Sequence, residues 1–90
     1  MTTLKKNSQP PQLTKPFLKV MREGQVCPDG VVIGINWKAL DIGMSFFVPA
    51  VNLSILNKQV QKIADYKNLT IKGHERIENG KLGMRFWRIL

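Results

Sequence analysis

Basic and aromatic side chains alternate with apolar ones in the segment KGHERIENGKLGMRFWRIL, residues 72–90. Guanidinium and ammonium groups neutralise phosphates, and a flat indole ring stacks on a nucleic-acid base. The segment therefore predicts a surface that binds a polyanion. The solvated outer face of an ordinary strand carries the same residue types, so this alternative stays open.

An Asn-Gly pair at the centre of the segment predicts how it folds. Asn79 and Gly80 suit a type I′ turn, because both central residues of that turn have positive φ. A two-residue turn at this point forms a β-hairpin and fixes its register. The register pairs Glu78 with Lys81, Ile77 with Leu82, His74 with Arg85 and Lys72 with Trp87.

Alternation of side chains along each strand separates two faces of this hairpin. The first face is mainly apolar and is the expected seat of a helix. It carries Leu69, Ile71, Ile77, Leu82, Met84 and Phe86, interrupted by Gly73, Glu75 and Arg88. The second face is cationic and carries Thr70, Lys72, His74, Arg76, Lys81, Arg85 and Trp87. A one-residue slip, or a bulge at Gly83, would instead turn Trp87 inward and Phe86 outward.

The candidate nucleic-acid-binding side chains come from this hairpin and from the polar side of a preceding helix. They are Lys72, His74, Arg76, Lys81, Arg85, Trp87 and Arg88 on the hairpin, and Lys58 and Lys62 on the helix. Near the N-terminus, Lys5, Lys6 and Lys15 would add phosphate contacts. Contacts of this kind predict binding that is mainly electrostatic and weakly sequence-specific.

Catalysis and cofactor binding need residue patterns that this sequence lacks. It has no Ser/His/Asp set with a nucleophile elbow, no phosphate-binding glycine loop and no carboxylate cluster for Mg²⁺. His74 is the single histidine and Cys27 the single cysteine, so neither a metal site nor an internal disulfide is expected. We therefore predict neither an enzyme nor a bound cofactor.

Residues 52–66 have the spacing of an amphipathic helix. The apolar residues recur at intervals of three and four and form one stripe, made of Leu53, Leu56, Val60, Ile63 and Ala64. Asn52 or Ser54 is expected to cap the start of this helix. Lys58 and Lys62 lie four residues apart on the polar side and repel each other mildly, which favours a basic surface over a helix optimised for stability alone.

Two apolar runs precede this helix. Residues 31–35, VVIGI, are β-branched and predict a buried strand. Residues 36–43 predict a turn or a short helical connection. Residues 44–50, MSFFVPA, predict a second strand that ends at Pro49, since proline has no N–H for a central ladder. Together these elements predict an α+β fold: a small antiparallel sheet with a C-terminal β-hairpin and one amphipathic helix packed on one face.

Length and charge agree with one small basic domain. Fourteen Lys and Arg against six Asp and Glu give a formal net charge of +8 over 90 residues, which favours a polyanionic partner. Residues 1–16 hold three of the five prolines and predict a flexible basic arm, followed by a single domain at residues 17–90. The lone cysteine and the lack of a long apolar run favour a cytoplasmic protein without a membrane span. A homodimer would cover leftover apolar surface such as Phe46 or Phe47.

Two motifs on either side of the helix resemble those of a group of small bacteriophage-encoded proteins. The pattern of that group runs Gly-x-Ser-Phe-φ-Val-Pro, then a Lys-rich helix, then Gly-φ-Arg-φ-Trp-Arg, where φ is an apolar residue. The matching positions are Gly43, Ser45, Phe46, Val48 and Pro49, then Gly83, Arg85, Trp87 and Arg88, and the resemblance covers residues 37–90. An acidic residue often precedes the serine in that group, whereas this chain has Met44. Its members are described as proteins of unknown function, so the resemblance implies a phage origin and a bacterial host cytoplasm, without catalytic residues.

Two functions from different classes fit these patterns. The first is that of a small basic phage accessory protein that binds nucleic acid, DNA rather than RNA, mainly through its phosphates. The second is that of an inhibitor or modulator whose basic face docks on an acidic host protein, such as an enzyme of transcription, DNA processing or defence. A cationic face with an aromatic anchor serves both, because tryptophan and arginine also dominate protein interfaces.

Overall fold

The computed structural model describes residues 22–90, so the basic arm predicted at residues 1–16 lies outside the described part. The predicted α+β fold is confirmed. The elements follow in the order β1 (Gln25–Val26), β2 (Ile33–Gly34), a 3₁₀ turn (Trp37–Ala39), β3 (Ser45–Pro49), α1 (Leu53–Lys67), β4 (Ile71–Glu78) and β5 (Lys81–Arg88). Strands β1 and β2 form a short antiparallel pair. The second sheet is antiparallel and three-stranded, in the order β3-β5-β4.

Strands β4 and β5 form the hairpin in the register that the Asn-Gly turn predicts. Asn79 and Gly80 have φ angles of 51° and 74°, the left-handed values that the turn requires. Pairing runs without interruption from Ile71 opposite Arg88 to Glu78 opposite Lys81. The two faces of the hairpin therefore carry the side chains expected from alternation, with Phe86 on one face and Trp87 on the other.

The core lies between α1 and one face of the three-stranded sheet. Leu56, Val60 and Ile63 from the predicted apolar stripe of α1 are fully buried. The sheet contributes Val48, Ile71, Met84 and Phe86 to the same cluster. This packing supplies most of the stability of α1, because a helix of fifteen residues is marginal on its own in water.

Two glycines allow aromatic rings to lie flat against β4 and β5. A Cβ added at Gly73 would come 2.6 Å from the ring of Phe86, on the core side of the sheet. A Cβ added at Gly83 would come 2.7 Å from the ring of Phe47 on the opposite side, and would overlap the carbonyl oxygen of Val48. Both glycines are therefore required by close packing.

The prediction of a buried strand at residues 31–35 is wrong. Only Ile33 and Gly34 pair, and their partner is the two-residue strand β1. Val31 and Val32 are 69% and 51% exposed. β-branching favours an extended backbone, but burial depends on the neighbours that the fold provides. The helical turn and the strand that follow this run have the predicted conformations.

The side chain of Asp29, in the loop between β1 and β2, binds the backbone at the start of α1. Its carboxylate accepts hydrogen bonds from the backbone N–H groups of Val51 and Asn52 at 2.9 and 3.0 Å. Asn52 is the N-cap residue, but its side chain donates to the carbonyl oxygen of Pro28 at 3.4 Å. The cap predicted for the Asn52 side chain is therefore wrong, and a carboxylate from elsewhere lies at the positive end of the helix dipole instead.

We expect Asp29→Ala to lower the free energy of unfolding by about 1 kcal/mol at neutral pH, the usual effect of losing a helix-start acceptor at an exposed site. Hydrogen bonding from Val51 is the main cause that lowers the pKa of Asp29 below its ordinary 3.8, and desolvation opposes it. A lowered pKa means that the stabilisation is complete above the ordinary value and disappears as the pH falls through the folded-state value. Urea unfolding at neutral pH and below pH 3.8 measures both effects.

Asp65→Ala is the matched control for this prediction, because it removes an exposed carboxylate near the other end of α1. That position lies at the negative end of the helix dipole, so loss of its charge is expected to leave the free energy of unfolding unchanged or slightly higher. Equal losses in the two variants would contradict the role assigned to Asp29.

Candidate nucleic-acid interface

The face of the three-stranded sheet opposite α1, which we call the outer face, carries most of the predicted binding side chains. Among residues 22–90, no helix or strand packs on it. Its side chains are Lys72, His74, Arg76 and Glu78 from β4, Lys81, Arg85 and Trp87 from β5, and Ser45, Phe47 and Pro49 from β3. Four cations against a single carboxylate make this face positively charged.

Three of the predicted side chains lie elsewhere. Arg88 is on the α1 side of β5, where its guanidinium donates to the carbonyl oxygens of Leu40 at 2.8 Å and Leu90 at 3.0 Å. Lys58 and Lys62 are exposed on α1, on the far side of the sheet from Trp87. One ligand segment on the outer face therefore does not reach these three cations, because the sheet separates them from it.

Trp87 is half-buried on the outer face among basic groups. The ring of His74 meets the indole edge to face, with ring centroids 5.5 Å apart. The guanidinium carbon of Arg76 lies 6.0 Å from the indole centroid, where cation–π attraction acts. Lys72 and Ser45 are the cross-strand partners of Trp87 on its two sides. The outer face thus presents an aromatic surface surrounded by donors.

Phe47 is a second aromatic side chain of this face, which the sequence suggested only as leftover apolar surface. Its half-buried ring lies over Gly83, and the guanidinium carbon of Arg85 is 5.9 Å from the ring centroid. Phe46, its neighbour in β3, points to the core and stacks on Phe86 at 5.4 Å. Alternation within β3 is the signal that separates the two, once β3 is known to pair with β5.

Glu78 binds two arginines of the outer face. Nε and Nη2 of Arg85 donate to the two carboxylate oxygens of Glu78, both at 2.7 Å. Nε of Arg76 lies 3.3 Å from one of the same oxygens. The third donor of Arg85, Nη1, bonds to the hydroxyl of Ser45 at 2.8 Å. Lys81 is opposite Glu78 in the register, yet the carboxylate bonds to Arg85, which lies four residues further along β5.

The electrostatics of this ion pair keep both partners charged. Hydrogen bonding from Arg85 is the main cause that lowers the pKa of Glu78; desolvation opposes it, and the charges of Arg85 and Arg76 lower the pKa further. Hydrogen bonding to Glu78 likewise raises the pKa of Arg85. Because the Glu78 pKa falls below its ordinary 4.5, the pair is complete above that value and is lost only as the pH falls through the folded-state value.

The described part of the chain offers no other grouped chemistry. Within residues 22–90, no three His, Cys, Asp or Glu side chains lie together in a way that could hold a metal ion. No helix in the same range is long and apolar enough to cross a membrane. What the outer face provides is a set of cationic donors and two aromatic rings.

Comparison with known proteins returned no match for this chain, whether with protein-family models, with curated proteins or with solved structures.

Proposed function

We propose that the protein binds nucleic acid through the outer face, with phosphates held by the cations and a base stacked on Trp87. One observation carries the proposal: two aromatic rings, those of Trp87 and Phe47, share with four cations a sheet face on which no helix or strand of residues 22–90 packs. Base stacking on aromatic rings is tolerant of sequence, and phosphate contacts carry no sequence information. Binding of this kind is general rather than site-specific.

The positions of the cations fit an extended ligand. Lys72 lies near one end of the hairpin and Lys81 near the other, about 20 Å apart at the usual rise of a strand. Neither lysine forms an ion pair with a residue in the described range. A flexible strand of several nucleotides can therefore contact both lysines while it crosses Trp87.

The aromatic rings favour a single strand over a duplex. A base stacks on a protein ring only when it is unstacked from its neighbours, and single strands supply such bases without the cost of opening a helix. The outer face presents strands, and no helix of residues 22–90 packs on it that would enter a major groove. We therefore propose single-stranded DNA as the ligand.

Salt dependence tests the phosphate contacts. We expect the affinity for fluorescein-labelled oligo(dT) to fall linearly with salt concentration on a log–log plot, by a slope of about 0.7 for each phosphate neutralised. Lys72→Ala is expected to reduce the slope by about 0.7, because one contact is lost. The matched control is Lys58→Ala, which removes the same charge from α1 and is expected to leave the slope unchanged. Fluorescence anisotropy over a salt series measures all three proteins.

Salt-insensitive binding, or equal slopes for the two lysine variants, would contradict a phosphate-binding outer face. No binding of single- or double-stranded DNA even at low salt would favour the acidic host protein as partner. The homodimer and the phage origin implied by the resemblance stay predictions of the sequence.

A further inference from the structure

The carboxylate of Glu78 lies within bonding distance of two arginines of the outer face. Arg85 presents two parallel N–H donors to it at 2.7 Å, the fork geometry that arginine also uses towards phosphate. Nε of Arg76 lies 3.3 Å from one oxygen of the same carboxylate. Both arginines belong to the predicted binding set, and both are bound to this carboxylate.

We propose that Arg76 and Arg85 form a phosphate-binding site that Glu78 fills in the free protein and leaves when nucleic acid binds. The proposal rests on the proposed function and specifies how the same surface is regulated. Glu78 is then an internal competitor. It weakens the binding of ligands that are short or carry few charges. A strand that offers many phosphates displaces the Glu78 carboxylate from the two arginines.

Two contacts keep Arg85 in position without Glu78. Its Nη1 donates to Ser45 at 2.8 Å, and its guanidinium lies against the ring of Phe47. Neither contact involves the carboxylate, so the two donors now used by Glu78 stay directed along the outer face after the carboxylate moves away. The side chain of Arg85 is 26% exposed and that of Arg76 is 50% exposed, so a phosphate can reach both from solvent.

The strand register explains why the length of the Glu78 side chain matters. On the outer face, the cross-strand pair of Arg76 with Gly83 lies between Glu78 and Arg85. The side chains of Glu78 and Arg85 span this separation and meet at 2.7 Å. Aspartate lacks one methylene of the glutamate side chain, so a carboxylate of aspartate at position 78 would lie too far from Arg85 to accept both hydrogen bonds.

Glu78→Gln tests the proposal directly. We expect it to bind fluorescein-labelled oligo(dT) about five- to twenty-fold more tightly than wild type at 0.1 M salt, because each additional phosphate neutralised strengthens binding about fivefold at a slope of 0.7. Glu75→Gln is the matched control: it removes the same charge from the same strand, but on the core side of the sheet. The affinity of Glu75→Gln for oligo(dT) is expected to stay within about twofold of the wild-type affinity, since salt screens a charge that does not touch the ligand.

Two further variants separate direct contact from net charge. Glu78→Asp keeps the charge of the protein and is expected to bind more tightly than wild type, because its carboxylate no longer reaches Arg85. Compared with Arg85→Gln alone, the double variant Glu78→Gln/Arg85→Gln is expected to show little of the increase in affinity that Glu78→Gln shows over wild type, which is the coupling that a double-mutant cycle detects. Circular dichroism and thermal unfolding confirm that each variant is folded.

Equal affinities of Glu78→Gln and Glu75→Gln, with wild type binding normally, would overturn the internal competitor and leave the proposed function standing. An increase that persists in full without Arg85 would overturn it too. If neither wild type nor any Glu78 variant binds oligo(dT) at low salt, the proposed function itself is overturned.

Discussion

Gly83→Ala is expected to lower the free energy of unfolding by about 3 kcal/mol or more, towards the upper end of what overpacking costs. The added methyl group would overlap the carbonyl oxygen of Val48 and come 2.8 Å from the Cα atom of Pro49. Both are backbone atoms of β3, so no rotation of a side chain relieves the collision. Strand β3 would have to move away from β5 and give up ladder hydrogen bonds.

Chemical denaturation of the wild type and Gly83→Ala measures this effect, with Gly34→Ala as the matched control. Gly34 also lies in a strand, but an added methyl group there meets nothing within 4 Å. We expect the free energy of unfolding of Gly34→Ala to stay within about 1 kcal/mol of the wild-type value, since the substitution mainly restricts the conformations of the unfolded chain. A mild effect at Gly83 would mean that β3 is held less closely than the structure shows.

The second large effect is a contrast between two neighbouring aromatic residues. Substitution of the first is expected to lower the stability of the protein, and substitution of the second to lower its affinity for nucleic acid. Phe86→Ala is expected to lower the free energy of unfolding by about 3–5 kcal/mol, because the ring is fully buried between α1 and the sheet. Trp87→Ala is expected to leave a folded protein that binds oligo(dT) roughly tenfold more weakly, since stacking contributes about 1–3 kcal/mol per base. Thermal unfolding and fluorescence anisotropy of both variants measure the contrast.

A Trp87→Ala protein that unfolds as readily as Phe86→Ala would show that the indole belongs to the core. A folded Trp87→Ala protein with unchanged affinity for oligo(dT) would show that base stacking on Trp87 is not part of the proposed function. The phosphate contacts of the lysines are tested separately, by the salt dependence of binding.

Local sequence signals predicted the hairpin and the helix because the physics that forms them is local. The Asn79-Gly80 turn fixes the register of the eight residues on each side, and this places Trp87 and Arg85 on one face. The three- and four-residue spacing of Leu56, Val60 and Ile63 predicts which side of α1 is buried. The cationic character of the outer face follows from these two signals alone.

Features that depend on contacts between distant segments could not be predicted in this way. The position of Phe47 follows from the pairing of β3 with β5, and the anchoring of α1 by Asp29 joins residues 22 or more positions apart. Cross-strand pairing places Glu78 opposite Lys81, whereas its carboxylate bonds to Arg85 four residues further along β5. Val31 is exposed because its run pairs only through Ile33 and Gly34, with the short strand β1, and does not join the three-stranded sheet.

The order of strands in the three-stranded sheet has a consequence for synthesis of the protein. Strand β5 is the last of the three to leave the ribosome, yet both β3 and β4 pair with it and not with each other. Until β5 emerges, β3 has no partner strand within residues 22–90, and the apolar side of α1 has no complete sheet to cover it. The sheet and the outer face therefore form together, after translation of β5, and a chain truncated before residue 81 would have neither.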